Sequence, residues 1–276
     1  MRHRKLIADN EECCASMVNT IVGPYQREPV KGVRARGGFA KTWRGPARFA
    51  IPLPVGLDPS TAGPLFCGGI TVFTPLKKHG AGKTAKRVGV VGIGGLGHLA
   101  ILFAKAMGAE VTAISRSTSK KDDAQALGAT GYIASGDDLP AAFKPHSRTL
   151  DLIICTISTY ICPDAALLTP DPAVFPVAEY LELLRPDGRF VMVGVPQSPV
   201  SIPGRPLISK NVLVGGSHIG SPQEIKNMLE FVVANKIKPW VQKYNMDDIN
   251  TAIKDFNDGK PNFRFVLVNT DNGAKL

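Results

Sequence analysis

Long apolar runs are missing from this sequence, and no stretch approaches the roughly 18 residues that a membrane-spanning helix needs. The basic opening Met1-Arg2-His3-Arg4-Lys5 is followed by Asp9, Glu11 and Glu12 rather than by an apolar segment. A secretory signal requires that apolar segment and a mitochondrial presequence avoids acids, so a soluble, cytoplasmic protein is expected, with no membrane partner. Aromatics are scarce, at 7% with two tryptophans. Cysteine is sparse and odd in number, five in all, at positions 13, 14, 67, 155 and 162. That count and spacing point to reduced thiols rather than a disulfide framework.

Basic residues are in surplus, giving a formal charge of +10 over 276 residues. Residues 1–50 hold ten Lys/Arg against four acids, and 77–87 hold five basics (Lys77, Lys78, Lys83, Lys86, Arg87) against none. Neither stretch is interleaved with aromatics as a base-stacking surface would be, so no nucleic-acid partner is expected. A solvated basic face and an attractor for anionic ligands both remain open at this point. With 44% hydrophobic residues the chain can bury a sizeable core, and its length suits one large domain or two modest ones.

From residue 87 short apolar runs alternate with helical periodicity. Strands are predicted at Val88–Val91, Val111–Ile114, Tyr132–Ala134, Leu152–Cys155, Phe190–Val193 and Val212–Val214. Helices are predicted from Leu96 to Met107, stopped by Gly108, and from an N-cap at Ser119 through Leu127, stopped by Gly128. A further helix, Val177–Leu184, should end in the turn Arg185-Pro186-Asp187-Gly188. Such alternation implies an α/β fold with a parallel sheet covered on both faces. The flanks differ. Residues 1–56 carry only weak strand signals (Phe39-Ala40, Phe49-Ala50-Ile51), while Ser221-Pro222-Gln223-Glu224 is a capping box opening a helix to about Asn235. Trp240–Tyr244, Asp247–Phe256 and Phe263–Val268 then suggest strand, helix, strand.

The sharpest motif is Gly92-Ile93-Gly94-Gly95-Leu96-Gly97, which follows a predicted strand and opens a predicted helix. In a dinucleotide site Gly92 makes the tight turn and Gly94 lets the backbone approach a pyrophosphate. Gly97 allows close helix–strand packing, and the helix amides face the phosphates. An NAD site places Asp or Glu at the end of the second strand; here stand Ser115-Arg116-Ser117, then Lys120 and Lys121. A guanidinium, hydroxyls and ammonium groups suit a 2′-phosphate, so the expected cofactor is NADP(H).

Together with these residues, Pro64–Val72, Ala104–Val111, Gly37-Gly38-Phe39-Ala40, Gly194-Val195-Pro196, Gly216–Ser221 and Phe263–Val266 resemble the zinc-dependent medium-chain alcohol dehydrogenases. The likeness is to the NADP-dependent cinnamyl-alcohol-dehydrogenase type and runs from about Cys14 to about Val268. It implies a doubly wound Rossmann sheet at 75–216, flanked by the remnant of a GroES-like, mostly-β catalytic domain at 1–74 and 217–276. It implies hydride transfer between NADP(H) and a primary alcohol or aldehyde, and a homodimer paired through the strand at Val212–Val214. By the same resemblance Gly92, Gly94, Gly95, Leu96 and Gly97 hold the pyrophosphate, and Ser115, Arg116 and Lys120 the 2′-phosphate. Thr71, Gly216 and Ser217 serve the nicotinamide, Arg264 the phosphates, and Cys67 the catalytic zinc. Cys14 is the last of the family's four structural-zinc cysteines.

Other expected ligands do not appear. The histidines are His3, His79, His98, His146 and His218, none within a Gly-His-Glu motif, and the other structural-zinc positions are absent. Four-coordinate zinc needs more than one thiolate. The chain therefore reads as this dehydrogenase begun late, with an incomplete zinc site and impaired catalysis. A zinc-independent quinone or enoyl reductase and a non-catalytic NADPH-binding dimer partner are the alternatives.

Overall fold

Valines alternate with glycine in Arg87–Val91, and their branched side chains suit a strand buried on both faces. This segment forms β1, at the centre of a six-stranded sheet. The computed structural model describes residues 50–157, 175–196, 199–259 and 263–270. Ahead of the sheet lie α1 (Pro59–Ala62), a 3-10 turn (Gly63–Phe66) and α2 (Gly68–Lys78). After β1 come α3 (Gly97–Ala106), β2 (Glu110–Ser115), α4 (Lys121–Ala126), β3 (Gly131–Ala134), α5 (Leu139–Phe143) and β4 (Leu150–Cys155). Then follow α6 (Val177–Glu182), β5 (Leu184–Met192), α7 (Gly204–Lys210) and β6 (Leu213–Gly216). The described chain closes with α8 (Pro222–Ala234), β7 (Gln242–Asn245), α9 (Ile249–Asn257) and β8 (Phe265–Val268).

The sheet runs β3-β2-β1-β4-β5-β6 with every pairing parallel, the doubly wound order of a Rossmann fold. Its two faces carry separate cores. Val88, Val90, Val111, Leu152 and Ile154 pack with Leu76 of α2, Leu99 and Phe103 of α3 and Leu229 of α8. On the other face Val91, Ile114, Ile153 and Phe190 pack with Phe143 of α5 and Tyr180 of α6. Period-two alternation on strands buried from both sides produces this division. A fully buried Leu or Phe contributes about 2 kcal/mol. The order reverses between β1 and β4, the switch point at the carboxyl ends of the strands where such folds bind ligands.

Helix boundaries depart from expectation in two places. A 3-10 turn (Thr118–Lys120) precedes α4 and is capped by Ser117, whose side chain accepts from the Ser119 amide; Lys120 stands at the cap position of α4 itself, without a side-chain bond. Ser119 is therefore not the cap; its hydroxyl is engaged with that of Ser117 at 2.8 Å. Arg185-Pro186-Asp187-Gly188 lies inside β5 rather than between helix and strand. Register with β4 slips there between Leu150 and Leu152, and Asp187 takes φ 63°. A bulge accommodates a proline that an unbroken ladder would reject. The capping box at Ser221 and Glu224 is formed in both directions.

Ala50 and Ile51 are not in a strand, and the described flank before β1 is helical. The 74/75 boundary falls within α2, which packs on the same core as β1. Beyond β6 the return contributes one parallel pair, β7 with β8. Cys13, Cys14, Cys162, Phe39 and Phe49 lie outside the described residues. Among the described residues no helix is long and apolar enough to cross a membrane.

Candidate cofactor and active site

Gly92 follows directly on β1, and its φ of 86° is open to glycine and strained for other residues. Its amide donates to Ile114 O at 2.9 Å, extending the β1–β2 ladder past the end of β1. Thr156, directly after β4, donates its amide to Val91 O at 3.0 Å and its hydroxyl to Val91 O and Gly92 O at 2.8 and 3.1 Å. A Cβ on Gly97 would overlap the Gly92 carbonyl, so α3 can begin this close to β1 only with glycine. A Cβ on Gly94, by contrast, would meet nothing within 4 Å.

The start of α3 is bare. Leu96 stands at the cap position without a side-chain bond, and no acidic residue lies in the first turn. The His98 amide donates to Gly94 O at 3.0 Å, and the remaining first-turn amides with the helix dipole favour an external anion. An open Gly94 before an uncapped helix start fits a dinucleotide's pyrophosphate. Two cations stand over this loop. Lys120 Nζ donates to Ile93 O at 2.8 Å, and Arg264 Nε, arriving 169 residues later in the chain, donates to Gly95 O at 3.0 Å. Burial lowers the Arg264 guanidinium from its ordinary value, and Cys67 acts in the opposite direction.

At the end of β2, Ser115 is half-buried and Arg116 exposed. Arg116 forms an ion pair with Asp137, 3.3 Å away, and Tyr132 donates its hydroxyl to Ser117 O at 2.6 Å. The carboxylate missing after β2 thus enters from the segment after β3.

On the other side of the loop, Cys67 is the exposed residue before α2. Thr71 donates its hydroxyl to Cys67 O at 2.7 Å, leaving its oxygen lone pairs to accept. A Cβ on Gly68 would lie 2.9 Å from an Arg264 nitrogen, so Arg264 bridges the glycine loop and the Cys67 turn. At the far end of the sheet, Gly216 closes β6 and the Ser217 amide donates to Met192 O at 3.0 Å. That amide is engaged in the ladder, leaving the Ser217 carbonyl as the backbone group it can offer a ligand.

The structure therefore gathers Gly92, Gly94, Gly95, Leu96, Gly97, Lys120 and Arg264 at the reversal point. Ser115 and Arg116 lie at the end of β2, and Cys67 with Thr71 beside Arg264. Sequence reasoning missed Thr156, Asp137 and His98. His98 is fully buried beneath the loop, its Nδ1 donating to Gly94 O at 3.1 Å and its ring 4.9 Å from that of Phe263. Burial depresses its pKa to about 4, so the imidazole is neutral, and Nε2 has no partner among the described residues. Cys155 is buried at the end of β4, with its thiol pushed up to about 12, which makes it inert.

No group of three or more His, Cys, Asp or Glu among the described residues could hold a metal ion. Cys67 alone does not make a four-coordinate zinc site, so the described residues do not fit the family's catalytic zinc. Cys14, the other residue read toward zinc, is outside the described residues.

Residues 95–169 and 173–234 match the family profile described as "Zinc-binding dehydrogenase". The chain is 38% identical over 259 residues to "Aldehyde reductase AdhA" of Synechocystis sp., covering 94% of this chain and 69% of that protein. It is 36% identical over 260 residues to "Cinnamyl alcohol dehydrogenase 2" of Rauvolfia serpentina, covering 94% and 67% respectively. The crystal structure of CAD from Helicobacter pylori, complexed with NADP(H), superposes with a TM-score of 0.63 at 33% identity, covering 79% of this chain and 57% of that one. The chain thus spans about two thirds of the curated relatives' length, and less of that structure.

Proposed function

The chain belongs to the zinc-type medium-chain alcohol dehydrogenases, in their cinnamyl-alcohol-dehydrogenase-like branch, and on that premise we propose that it is an NADP(H)-dependent oxidoreductase of primary alcohols and aldehydes. The observation that carries this is the uncapped start of α3 behind an open Gly94, flanked by Lys120 and Arg264. When bound, the nicotinamide cofactor supplies or accepts the hydride. The chain's own residues bind and orient it. Gly92, Gly94, Gly95, Leu96 and Gly97 cradle the pyrophosphate, with Arg264 neutralising its charge from the β8 side. Ser115, Arg116 and Lys120 receive the 2′-phosphate, while Thr71, Gly216 and Ser217 border the nicotinamide. Residues 75–216 act as the cofactor domain, with 1–74 and 217–276 as parts of the substrate side.

A homodimer through β6 follows from the same reading. β6 is the terminal strand of the sheet, and Leu213 on it is 58% exposed. An unpaired edge of this kind is relieved by a second copy. Cys67 and Cys155 are free thiols, in keeping with a reducing cytoplasm.

Titration with NADPH and NADH, followed by turnover of cinnamaldehyde with and without added zinc, tests the proposal. Tighter binding of NADPH supports it. Binding of neither cofactor overturns it, and binding without turnover of any aldehyde moves the chain to the non-catalytic alternative.

A further inference from the structure

We propose that Asp137 is a specificity-determining residue, a built-in carboxylate on the 2′-phosphate pocket that holds Arg116 and weakens preference for the phosphorylated cofactor. This rests on the NADP(H) reading above.

Placement of Asp137 is fixed by backbone, not by a loose surface contact. β2 and β3 pair in parallel up to Ser115 and Ala134. Past the strands the ladder continues, with the Ser135 amide donating to Ser115 O at 2.8 Å and the Gly136 amide to Arg116 O at 2.9 Å. Gly136 then turns the chain through φ 57°. Asp137 is thereby delivered beside Arg116, and its Oδ1 lies 3.3 Å from the guanidinium. Neighbouring carboxylates have other work. Asp138 accepts from the Ala141 amide at 3.0 Å and caps α5, and Asp122 and Asp123 occupy the first turn of α4, where acids favour the dipole.

The second cation is held differently. Lys120 donates one proton to Ile93 O, an uncharged partner, and keeps two more to offer. Tyr132 steadies the same loop through Ser117 O. A 2′-phosphate arriving here meets a ready ammonium but a guanidinium already paired with a negative charge. It must share Arg116 with Asp137 and sit close to a like charge. A ribose bearing only a 2′-hydroxyl meets no such repulsion and can be accepted or donated to by the same groups. Asp137 therefore narrows the gap between the two cofactors.

The test measures dissociation constants for NADPH and NADH by fluorescence titration at low and high salt. The proteins are the unaltered chain, Asp137→Asn, Asp137→Ala, Arg116→Gln and the double variant Arg116→Gln/Asp137→Asn. Removing the charge should tighten NADPH about fivefold at low salt and leave NADH within about twofold, since exposed ion pairs have modest strength. The gain should shrink at about 0.5 M salt, where the Debye length is only a few ångströms. In the Arg116→Gln background the gain should fall below about twofold, because the two side chains act as a pair. Both Asp137 variants should keep the melting temperature of the parent. An equal effect on both cofactors, or none, overturns the proposal. If Arg116→Gln weakens NADPH while the Asp137 variants are inert, this inference fails and the NADP(H) reading stands. If the unaltered chain binds no NADPH, both fail.

Discussion

The glycine loop at the β1–β4 reversal and the Cys67–β8 side meet at Arg264, but they are built in opposite ways. Around the loop the ends are fixed by close contacts: Gly97 is pressed against Gly92 O, Thr156 binds both Val91 O and Gly92 O, and Val88, Val90 and Val91 beneath are buried. On the other side Cys67 is exposed, and β7 and β8 form a two-stranded pair with only Val268 buried on β8. That pair is tied to the glycine loop and α3 by the Arg264–Gly95 bond and by the contact of Phe263 with His98 at a ring separation of 4.9 Å, while Phe263 and Trp240, 5.4 Å apart, join the segments leading into β8 and β7. The glycine loop rests on the buried core of the sheet, whereas the β7–β8 pair is held by a few long-range ties.

Breaking the first region should have the largest effect. Gly97→Val drives a side chain into the Gly92 carbonyl and should cost about 3 kcal/mol by chemical denaturation, with NADPH binding lost. Retained binding would mean that the helix can slide away from β1.

Acid reaches the tie between the regions through His98. Its pKa is about 4 when folded against an ordinary 6.5, so the unfolded chain takes up the proton first. Stability is then full above about pH 6.5, falls by up to about 3 kcal/mol as pH drops toward 4, and is flat below. His98→Leu should flatten that slope in urea titrations at pH 7 and 5. The Gly94 carbonyl still accepts from the backbone amide of residue 98, at 3.0 Å in the parent chain.

Arg264→Met should sharpen the contrast. Loss of a charge-assisted bond predicts about 30-fold weaker NADPH binding, and loss of the Gly95 tie a lower melting temperature. Unchanged NADPH affinity beside that fall would make Arg264 a structural strut alone. Tyr244→Phe should do least. It removes the 2.8 Å bond to Asp255 that links β7 and α9, and should cost at most about 1 kcal/mol, leaving cofactor affinity unchanged.

The same contrast governs what could be read in the sequence. The glycine loop was legible because its turn is set within six residues, Gly92 by its positive φ and Gly97 by the carbonyl of Gly92. A parallel sheet covered on both faces followed from the strand–helix alternation, and its doubly wound form from the family resemblance. Local signals misled where two competed: Ser117 and Ser119 are both good caps, and the 3-10 turn selects the earlier one. Arg185-Pro186-Asp187-Gly188 reads as a turn from composition, but pairing with β4 on either side draws it into a bulged strand. Asp137 and Thr156 were invisible because their partners lie 21 and 64 residues away, across pairings that only the folded sheet establishes.

Thr156 has one more consequence. A Rossmann sheet is two βαβαβ halves, and the seam between them is where a ligand settles. By bonding Val91 and Gly92 from the first strand of the other half, this one residue bolts the halves together at the switch point. Opening and closing around a ligand must then come from the elements at the rim, and the Thr156 amide should be among the slowest in the chain to exchange with solvent.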